Sequence, residues 1–248
     1  MREILKTNAI VLRARNYSEA DQLLTLYTEK AGKLSAIVKG VKKPKSKLRG
    51  GVQVFSHTNV ELFLGRNLAT VTQAETINTF ASLREDLFRM GCGSYLAELL
   101  DNLTPEGERD TELFRLILSG FYLLSVEEPW LITTVMEIRL LQELGYQPRL
   151  DDCVNCGQTK LAGNLFSPEL GGVICEQCLL NRPDIGIVKL SGETAVIYKQ
   201  LMKMEFTKLN RLRISTTAKR ELDEMLDLYI TFCLGKKLKS KEFLDNLA

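Results

Sequence analysis

The chain has 248 residues, of which 45% are hydrophobic and 26% charged, with a formal net charge of +2. This mixture excludes a disordered or low-complexity chain, and it is sufficient for one large domain or two of ordinary size. No stretch approaches the roughly 18 uninterrupted apolar residues of a membrane span, and the first residues lack the apolar core of a secretion signal. We therefore expect a cytoplasmic protein that does not bind membranes.

The first part of the chain reads as short strands separated by turns, a pattern typical of a small barrel or sandwich. We predict strands at residues 7–14, 22–28, 32–39, 52–64 and 68–74. The fourth segment alternates along its length, so Val60 and Leu62 share one face while Phe55 and Phe63 share the other. Five strands of this size fit an OB fold, a β-barrel that binds oligonucleotides and oligosaccharides. We place this domain at residues 1–78.

From residue 79 the spacing of apolar residues changes to the helical period. Helices are predicted at residues 83–103, 111–126, 129–146, 191–206 and 216–235, and a last short one begins at Ser240. Gly91 and Gly93 inside the first helix indicate that a neighbouring backbone approaches closely. The expected fold class is α+β, with the OB barrel followed by a mainly helical domain at residues 79–248.

Four cysteines form two pairs of equal spacing in the segment CVNCGQTKLAGNLFSPELGGVICEQC, residues 153–178. A separation of two residues lets both thiolates of a pair reach one tetrahedral ion, and the distance between the pairs suits a four-cysteine zinc site. Cytoplasmic thiols stay reduced, which argues against disulfide bonds. We predict a zinc module at about residues 151–182, inserted in the helical domain, that holds one structural Zn²⁺. Its ligands are Cys153, Cys156, Cys175 and Cys178.

Two other interpretations of these cysteines stay open, a redox pair and a different soft metal. A catalytic zinc site would keep an open coordination position and would often include a histidine. The sequence has one histidine, His57, and it falls in the predicted barrel. The pattern therefore favours a closed structural site.

Positive charge is concentrated near the start of the chain, where residues 1–80 carry 13 Lys and Arg against 6 Asp and Glu. Much of it lies in one predicted loop between the third and fourth strands. This basic segment comprises Lys39, Lys42, Lys43, Lys45, Lys47 and Arg49. Phosphate contacts require positive charge more than fixed geometry, so flexible lysines suit them. The segment predicts contact with the phosphate backbone of a nucleic acid, against the alternative of a solvated surface loop.

OB barrels bind single strands over the second and third strands and the loops after strands one and four. At or near those places the sequence has Arg13, Arg15 and Arg66, which we add to the predicted contacts. Bases also stack on flat rings, and Tyr17, Tyr27, Phe55 and Phe63 are candidates. Phe55 and Phe63 could equally pack against the helical domain.

No nucleophile, general base, Gly-rich phosphate loop or pair of catalytic carboxylates emerges from the sequence. We therefore expect a binding protein and not an enzyme. Two alternatives stay open: an OB-fold RNA-binding protein with a structural zinc module, and a zinc-dependent redox or hydrolytic enzyme.

Three stretches together resemble the bacterial RecO family of recombination mediators. They are TNAIVLRARNYSEADQLLTLYTEKAGKLSAIVKGVKKPKSKLRG, MEIRLLQELGYQPRLDDCVNCG and LGKKLKSKEFL, in that order along the chain. The resemblance implies DNA repair by homologous recombination, with binding of single- and double-stranded DNA and annealing of complementary strands. It also implies cooperation with RecR in loading RecA onto DNA coated by single-strand-binding protein, and a location at the nucleoid.

The resemblance further implies that the helical domain binds the acidic C-terminal tail of single-strand-binding protein. Such a tail needs a cationic rim around an apolar groove. The residues predicted for this role are Arg139, Lys236, Lys237, Lys239 and Lys241.

Overall fold

The computed structural model describes residues 3–66, 68–159 and 163–247. The chain forms two compact units, Met1–Thr133 together with Leu238–Ala248, and Thr134–Lys237. The division into domains at residues 1–78 and 79–248 stays a proposal. No helix of the described residues is both long enough and apolar enough to cross a membrane.

The first unit begins with a closed five-stranded barrel whose strand order is β1-β2-β3-β5-β4. Its strands are β1 (Glu3–Asn16), β2 (Gln22–Thr28), β3 (Gly32–Val38), β4 (His57–Leu64) and β5 (Ala69–Asn78). Most neighbours are antiparallel, while β3 and β5 pair in parallel through Ala36 and Ala69 to help close the barrel. Small and branched side chains such as Val11, Leu26 and Val60 fill the interior. This confirms the predicted OB barrel.

The fourth strand is shorter than the alternating pattern predicts, because it begins at His57 and not at residue 52. Phe55 adopts a positive φ of 72°, a conformation that ends an extended strand. Val52 is buried in the barrel core although it lies in a turn. The alternation over 52–56 therefore reflects turn residues that face the interior, and the loop between β3 and β4 extends to Ser56.

Three helices follow the barrel in the first unit, α1 (Ser82–Glu85), α2 (Leu87–Leu103) and α3 (Thr111–Val126). Gly93 on α2 faces the ring of Phe55, and a Cβ at this position would lie 3.2 Å from that ring. Gly91 makes room in the same way for Leu244. The close neighbours of both glycines are thus side chains, whereas the sequence predicts an approaching backbone. The first unit is completed by the last helix, α8 (Lys239–Asp245).

The helix α4 (Pro129–Glu143) leads into the second unit, which combines helices with a small sheet. The sheet has the order β7-β6-β8 and consists of β6 (Asn164–Ser167), β7 (Gly172–Ile174) and β8 (Val188–Leu190). The pair β6 and β7 is the hairpin between the two cysteine pairs. The remaining helices are α5 (Glu176–Leu180), α6 (Gly192–Lys203) and α7 (Thr216–Leu234), with a 3-10 helix at Phe206–Arg211.

The helices α6 and α7 cap each other. The backbone N–H of Ser191, which precedes α6, donates to Glu221 on α7 at 2.7 Å. In return the N–H of Ser215, which precedes α7, donates to Glu193 on α6 at 3.0 Å. Both serines also cap their own helices through their hydroxyl oxygens. Carboxylates at helix N-termini satisfy donors that lack intrahelical partners and oppose the positive end of the helix dipole.

Candidate nucleic-acid interface and metal centre

All six side chains of the basic segment are exposed to solvent. Val41 within the segment and Val52 just after it are buried in the barrel core, and Leu48 packs against that core. The segment therefore runs over the barrel with its apolar residues inserted and its charged residues outside. Short backbone bonds, such as that from the N–H of Ser46 to the carbonyl of Lys43 at 3.0 Å, form successive turns.

The segment is also tied to the turn between β1 and β2. The N–H of Gly40 donates to Oδ1 of Asp21 at 2.7 Å, and the N–H of Lys42 donates to the carbonyl of Ala20 at 3.0 Å. The bond from Gly40 is the main cause that holds the pKa of the Asp21 carboxyl below its ordinary value, with smaller contributions from Lys39 and Lys43. In the described part of the chain, no carboxylate lies within ion-pair distance of the six basic side chains. Their charge thus faces solvent.

The other predicted DNA contacts lie on the same barrel. Arg13 and Arg15 are exposed near the end of β1, and Arg66 is exposed in the turn between β4 and β5. The neighbouring Asn67 lies outside the described residues.

The candidate aromatic side chains differ in exposure. Tyr17 is 64% exposed and accessible to a base, whereas Tyr27 and Phe55 are 1% and 2% exposed. The ring of Phe55 stacks on Phe121 with centroids 5.6 Å apart. Stacking of bases on Tyr27 or Phe55 is therefore excluded, and Phe55 packs on the helices instead. From the sequence, Phe55 could either stack on bases or pack against the helices. The alternating pattern predicts on which face of the strand a side chain lies, but it does not predict which residues pack against that face.

The four cysteines predicted to bind zinc converge. Their sulfur atoms all lie within 4.8 Å of one another, and the sulfurs of Cys156 and Cys175 are 3.8 Å apart. A tetrahedral ion with Zn–S bonds of about 2.3 Å requires sulfurs about 3.8 Å apart, so the donor set fits Zn²⁺. All four are free cysteines, as a metal site requires. The residues present therefore form a metal site of the predicted composition.

The backbone around the cysteines is arranged for thiolates. Burial opposes ionisation of Cys153, but backbone N–H groups, led by that of Cys175 at 3.4 Å from its sulfur, outweigh it and lower the pKa of this thiol to about 6. The N–H of Gln158 favours ionisation of Cys156, yet the neighbouring cysteines outweigh it and raise the pKa of that thiol to about 12. A divalent cation removes this mutual repulsion.

The polypeptide that carries the first cysteine pair continues the small sheet. Arg149 pairs with the edge of β7 through bonds to Gly171 and Val173, each of 2.9 Å, and the N–H of Val154 donates to the carbonyl of Val173. The side chain amide of Asn155 donates to the sulfur of Cys178 at 3.3 Å and so links the two pairs. Gly157 provides the positive φ of 76° at which the first knuckle turns.

The residues predicted to bind a partner fall into different environments. Arg139 is half-buried in the second unit, where its guanidinium donates to the carbonyls of Leu201 and Met204 and lies 4.1 Å from the ring centre of Phe206. Burial lowers the pKa of this guanidinium from its ordinary value. These contacts assign Arg139 a structural role in joining α4 to the segment after α6. Its role in partner binding stays a prediction.

The predicted C-terminal lysines divide between the two units. Lys236 and Lys237 are exposed at the end of the second unit, and Lys239 and Lys241 belong to the first. Lys237 lies 3.8 Å from Asp227, and Lys241 forms an ion pair of 3.1 Å with Asp245. The role of these four lysines in partner binding stays a prediction.

The first unit also contains a cleft of about 300 Å³ that the sequence does not predict. Its walls come from β1, from the end of the loop between β3 and β4, from one face of α2 and from the start of α8. Its charged residues are Arg13, Glu98, Asp101 and Lys239. Of these only Arg13 was predicted to bind DNA. The one available signal was the spacing of Glu98 and Asp101, which places both carboxylates on one helical face.

Comparison with known proteins assigns the chain to a family. The model described as "Recombination protein O N terminal" matches residues 1–80, and "Recombination protein O C terminal" matches residues 84–242. The chain belongs to the RecO family. Family members include the DNA repair protein RecO of Heliobacterium modesticaldum, which is 40% identical over 90% of this chain and 82% of its own length.

Two further relatives match nearly end to end. The DNA repair protein RecO of Symbiobacterium thermophilum is 35% identical over 98% of both chains. That of Desulforamulus reducens is 38% identical over 99% of this chain and 95% of its own. Membership in the family supports a role in DNA repair and recombination, and it confirms the resemblance predicted from the three sequence stretches.

Proposed function

We propose that this protein is a mediator of homologous recombination that binds DNA through the basic segment of its barrel. The observation that carries the proposal is the arrangement of that segment, in which all six basic side chains are exposed while Val41, Leu48 and Val52 hold the backbone against the barrel. Anchored in this way, the cations form a fixed row without losing the freedom of their side chains. Such a row suits the phosphates of single- or double-stranded DNA.

The same arrangement supports annealing of complementary strands. Lysines that neutralise phosphates reduce the repulsion between two strands, and this effect requires no nucleotide cofactor. Membership in the RecO family supports the finer parts of the role: binding of the acidic tail of single-strand-binding protein, cooperation with RecR, and loading of RecA at the nucleoid in the cytoplasm. In this proposal the protein acts by binding and not as an enzyme.

For the tail-binding surface, the second unit offers an open depression of about 450 Å³. Val196, which is 54% exposed, and Met204 provide apolar surface there. Lys199, Lys203 and Lys208 surround it together with Glu205. Lys199 and Lys208 form ion pairs with Asp151 and Glu205, so an acidic peptide would compete with these carboxylates. This combination meets the need of an acidic peptide with apolar residues better than the half-buried Arg139 does. The predicted set of Arg139, Lys236, Lys237, Lys239 and Lys241 remains the alternative.

We assign the metal as one structural Zn²⁺. Four thiols on two knuckles are the donor set that zinc prefers, and they leave no coordination position open for a substrate. The ion would hold the segment of Arg149 to Val154 against β7 and fix the hairpin of the second unit.

The test of DNA binding replaces the six basic residues with serine and measures affinity for single-stranded DNA over a range of salt. If all six contact phosphates of a single strand, the wild-type slope of log K against log salt is about −4, and the variant loses most of it. A matched control replaces Lys199, Lys203 and Lys208, which belong to the second unit, and keeps the slope. Unchanged affinity of the six-serine variant at moderate salt would refute the proposal.

An RNA-binding protein is the second candidate, because a row of exposed lysines does not distinguish RNA from DNA. Competition between DNA and RNA strands of the same sequence decides between the two. We expect DNA to compete at least as well as RNA, whereas strong preference for RNA would favour the alternative.

A further inference from the structure

The unpredicted cleft of the first unit adjoins the proposed DNA surface. After Arg49 the chain passes through the rest of the loop to Val54 and Phe55, which form one wall of the cleft. Phe55 is bonded to β1, since its N–H donates to the carbonyl of Val11 at 2.7 Å. A DNA strand bound to the basic segment would therefore lie next to the cleft, which is at the end of the same loop.

A β-bulge shapes the wall that β1 contributes. Val11 pairs with Leu26 and Arg13 with Thr25 on β2, which leaves Leu12 as an extra residue. A bulge interrupts the alternation of faces and redirects side chains. As a result three successive residues, Leu12, Arg13 and Ala14, all line the cleft. In a regular strand the middle residue would point away from its neighbours.

Strained backbone lies at the same place. Phe55 is a large residue with φ of 72°, a region that L-residues other than glycine rarely enter. Its ring is held between Phe121 and Gly93, so the surrounding packing maintains the strain. Strained residues of this kind concentrate at ligand-binding sites, where they fix a shape that relaxed backbone would not give. The β-bulge at Leu12 and the strained backbone of Phe55 therefore both lie in the wall of the cleft.

The charges of the cleft restrict what can enter it. Ser94, Ala97, Glu98 and Asp101 form the α2 wall, one face of the helix. Oε2 of Glu98 accepts bonds from both the N–H and the hydroxyl of Ser240, and Oδ1 of Asp101 lies 3.1 Å from Lys33. Burial disfavours the charge of Glu98, but the bonds from Ser240 outweigh it and keep the pKa of this carboxyl below its ordinary value. At neutral pH these carboxylates repel phosphate from the interior.

A nucleobase meets these restrictions. Its flat rings can lie against the half-buried Ala14 and Val54, and an exocyclic amino group can donate to a carboxylate, the pairing by which Asp and Glu recognise cytosine. Arg13 and Lys239 bring positive charge to the same cleft, where they can face the phosphates on either side of the base. Thymine has no exocyclic amino group and could not make this additional contact.

We infer that this cleft receives one unstacked base of a single DNA strand whose phosphates lie on the basic segment. The cleft prefers bases with an exocyclic amino group. This inference rests on the proposed DNA binding. This site would add a contact with a base to a DNA-binding surface that otherwise contacts only phosphates. It also gives the protein a means to favour single strands, because a base inside a duplex is not free to enter.

The experiment measures binding of equal-length deoxycytidine and thymidine oligomers by fluorescence anisotropy at neutral pH. The wild-type protein is expected to bind the deoxycytidine oligomer about fivefold more tightly. The variant Ser94→Leu fills the cleft from α2 without altering its charges. It is expected to lose this preference and to keep the salt dependence, because the basic segment is untouched.

The matched control is Ser125→Leu on α3. Like Ser94, whose hydroxyl donates to the carbonyl of Met90, Ser125 bonds to a carbonyl of its own helix, that of Tyr122, but it does not line the cleft. It should retain the preference. If Ser94→Leu folds poorly, Ser94→Met fills the cleft with an unbranched side chain. The comparison of the two oligomers with the wild-type protein does not depend on any variant.

Equal binding of the two oligomers by the wild-type protein would overturn the inference, and so would a Ser94 variant that keeps the preference or weakens both oligomers equally. Failure of the DNA-binding proposal itself looks different. In that case the six-serine variant would retain its affinity and salt slope, whatever the base preference.

Discussion

Asp21 and Gly40 are joined by a 2.7 Å hydrogen bond that ties the start of the basic segment to the turn between β1 and β2. Asp21→Ala removes the acceptor, so the Gly40 amide should exchange its hydrogen about tenfold faster. Asp21→Asn keeps an oxygen acceptor and should largely preserve protection. Exchange followed by NMR tests this, and equal rates in all three proteins would show that the segment is held without this bond.

The Asp21 bond should also depend on pH. The pKa of this carboxyl is lowered, chiefly by the bond from Gly40, so its stabilising effect is complete above the ordinary Asp value of 3.8. It is lost as the pH falls through the lower pKa of the folded state. A titration of the Gly40 amide shift should therefore be flat at neutral pH and have its midpoint below 3.8, whereas a midpoint above that value would contradict the assignment.

The positive φ of Phe55 predicts an unusual order of stabilities. Phe55→Ala loses the contacts with Phe121 and should lower the free energy of unfolding by about 3 to 5 kcal/mol. Phe55→Gly loses the same contacts but relieves the strained backbone, so it should be about 1 kcal/mol more stable than Phe55→Ala. Glycine is normally the more destabilising of the two. Urea unfolding measures both, and the ordinary order would show that the backbone is relaxed.

The metal centre predicts graded effects of substitution. Cys175→Ser removes a ligand and should abolish stoichiometric zinc, measured by mass spectrometry, and lower the thermal midpoint. Asn155→Ala removes only the amide that donates to Cys178 and should weaken zinc binding about tenfold. DNA affinity should persist in both, because the basic segment belongs to the first unit. A variant that loses its DNA binding together with its zinc would contradict this separation.

The reciprocal caps of α6 and α7 predict a specific role for Glu221. Glu221→Ala leaves the N–H of Ser191 without its partner and should destabilise the protein by about 1 kcal/mol. Glu224→Ala, on an exposed position of the same helix, is the control and should have little effect. Burial opposes the charge of Glu221, yet bonds from Thr194 and Ser191 outweigh it and lower its pKa. Its contribution should therefore disappear on acidification below the ordinary Glu range, as thermal unfolding at several pH values would show.

Features that depend on local spacing could be predicted from the sequence. The zinc cysteines converge because the first pair sits on a tight turn, the second pair lies at the start of α5, and a short hairpin joins the two pairs. The predicted helix of residues 111–126 has the observed limits, since a long run of mostly apolar residues is a local signal. The barrel followed from five segments with turns between them.

Features that depend on tertiary packing could not be predicted from the sequence. The alternation of residues 52–64 predicts one strand, but Val52 fills the barrel core from a turn and Phe55 reverses the backbone, so β4 begins at His57. The cleft joins Glu98 to Ser240, which are 142 positions apart, and nothing in either neighbourhood signals the other. Arg139 reads as a free cation in the sequence, yet it bonds to carbonyls more than sixty positions away.

The first unit is built from two separate stretches of the chain, because the segment that begins at Leu238 returns to it after the second unit. During synthesis the barrel emerges first and can close early, but α8 reaches Glu98 and Gly91 only after the second unit has been synthesised. Since Lys239 and Ser240 line the cleft, its wall stays unfinished until then. A chain that lacked the segment from Leu238 onward would carry the basic segment without a completed cleft.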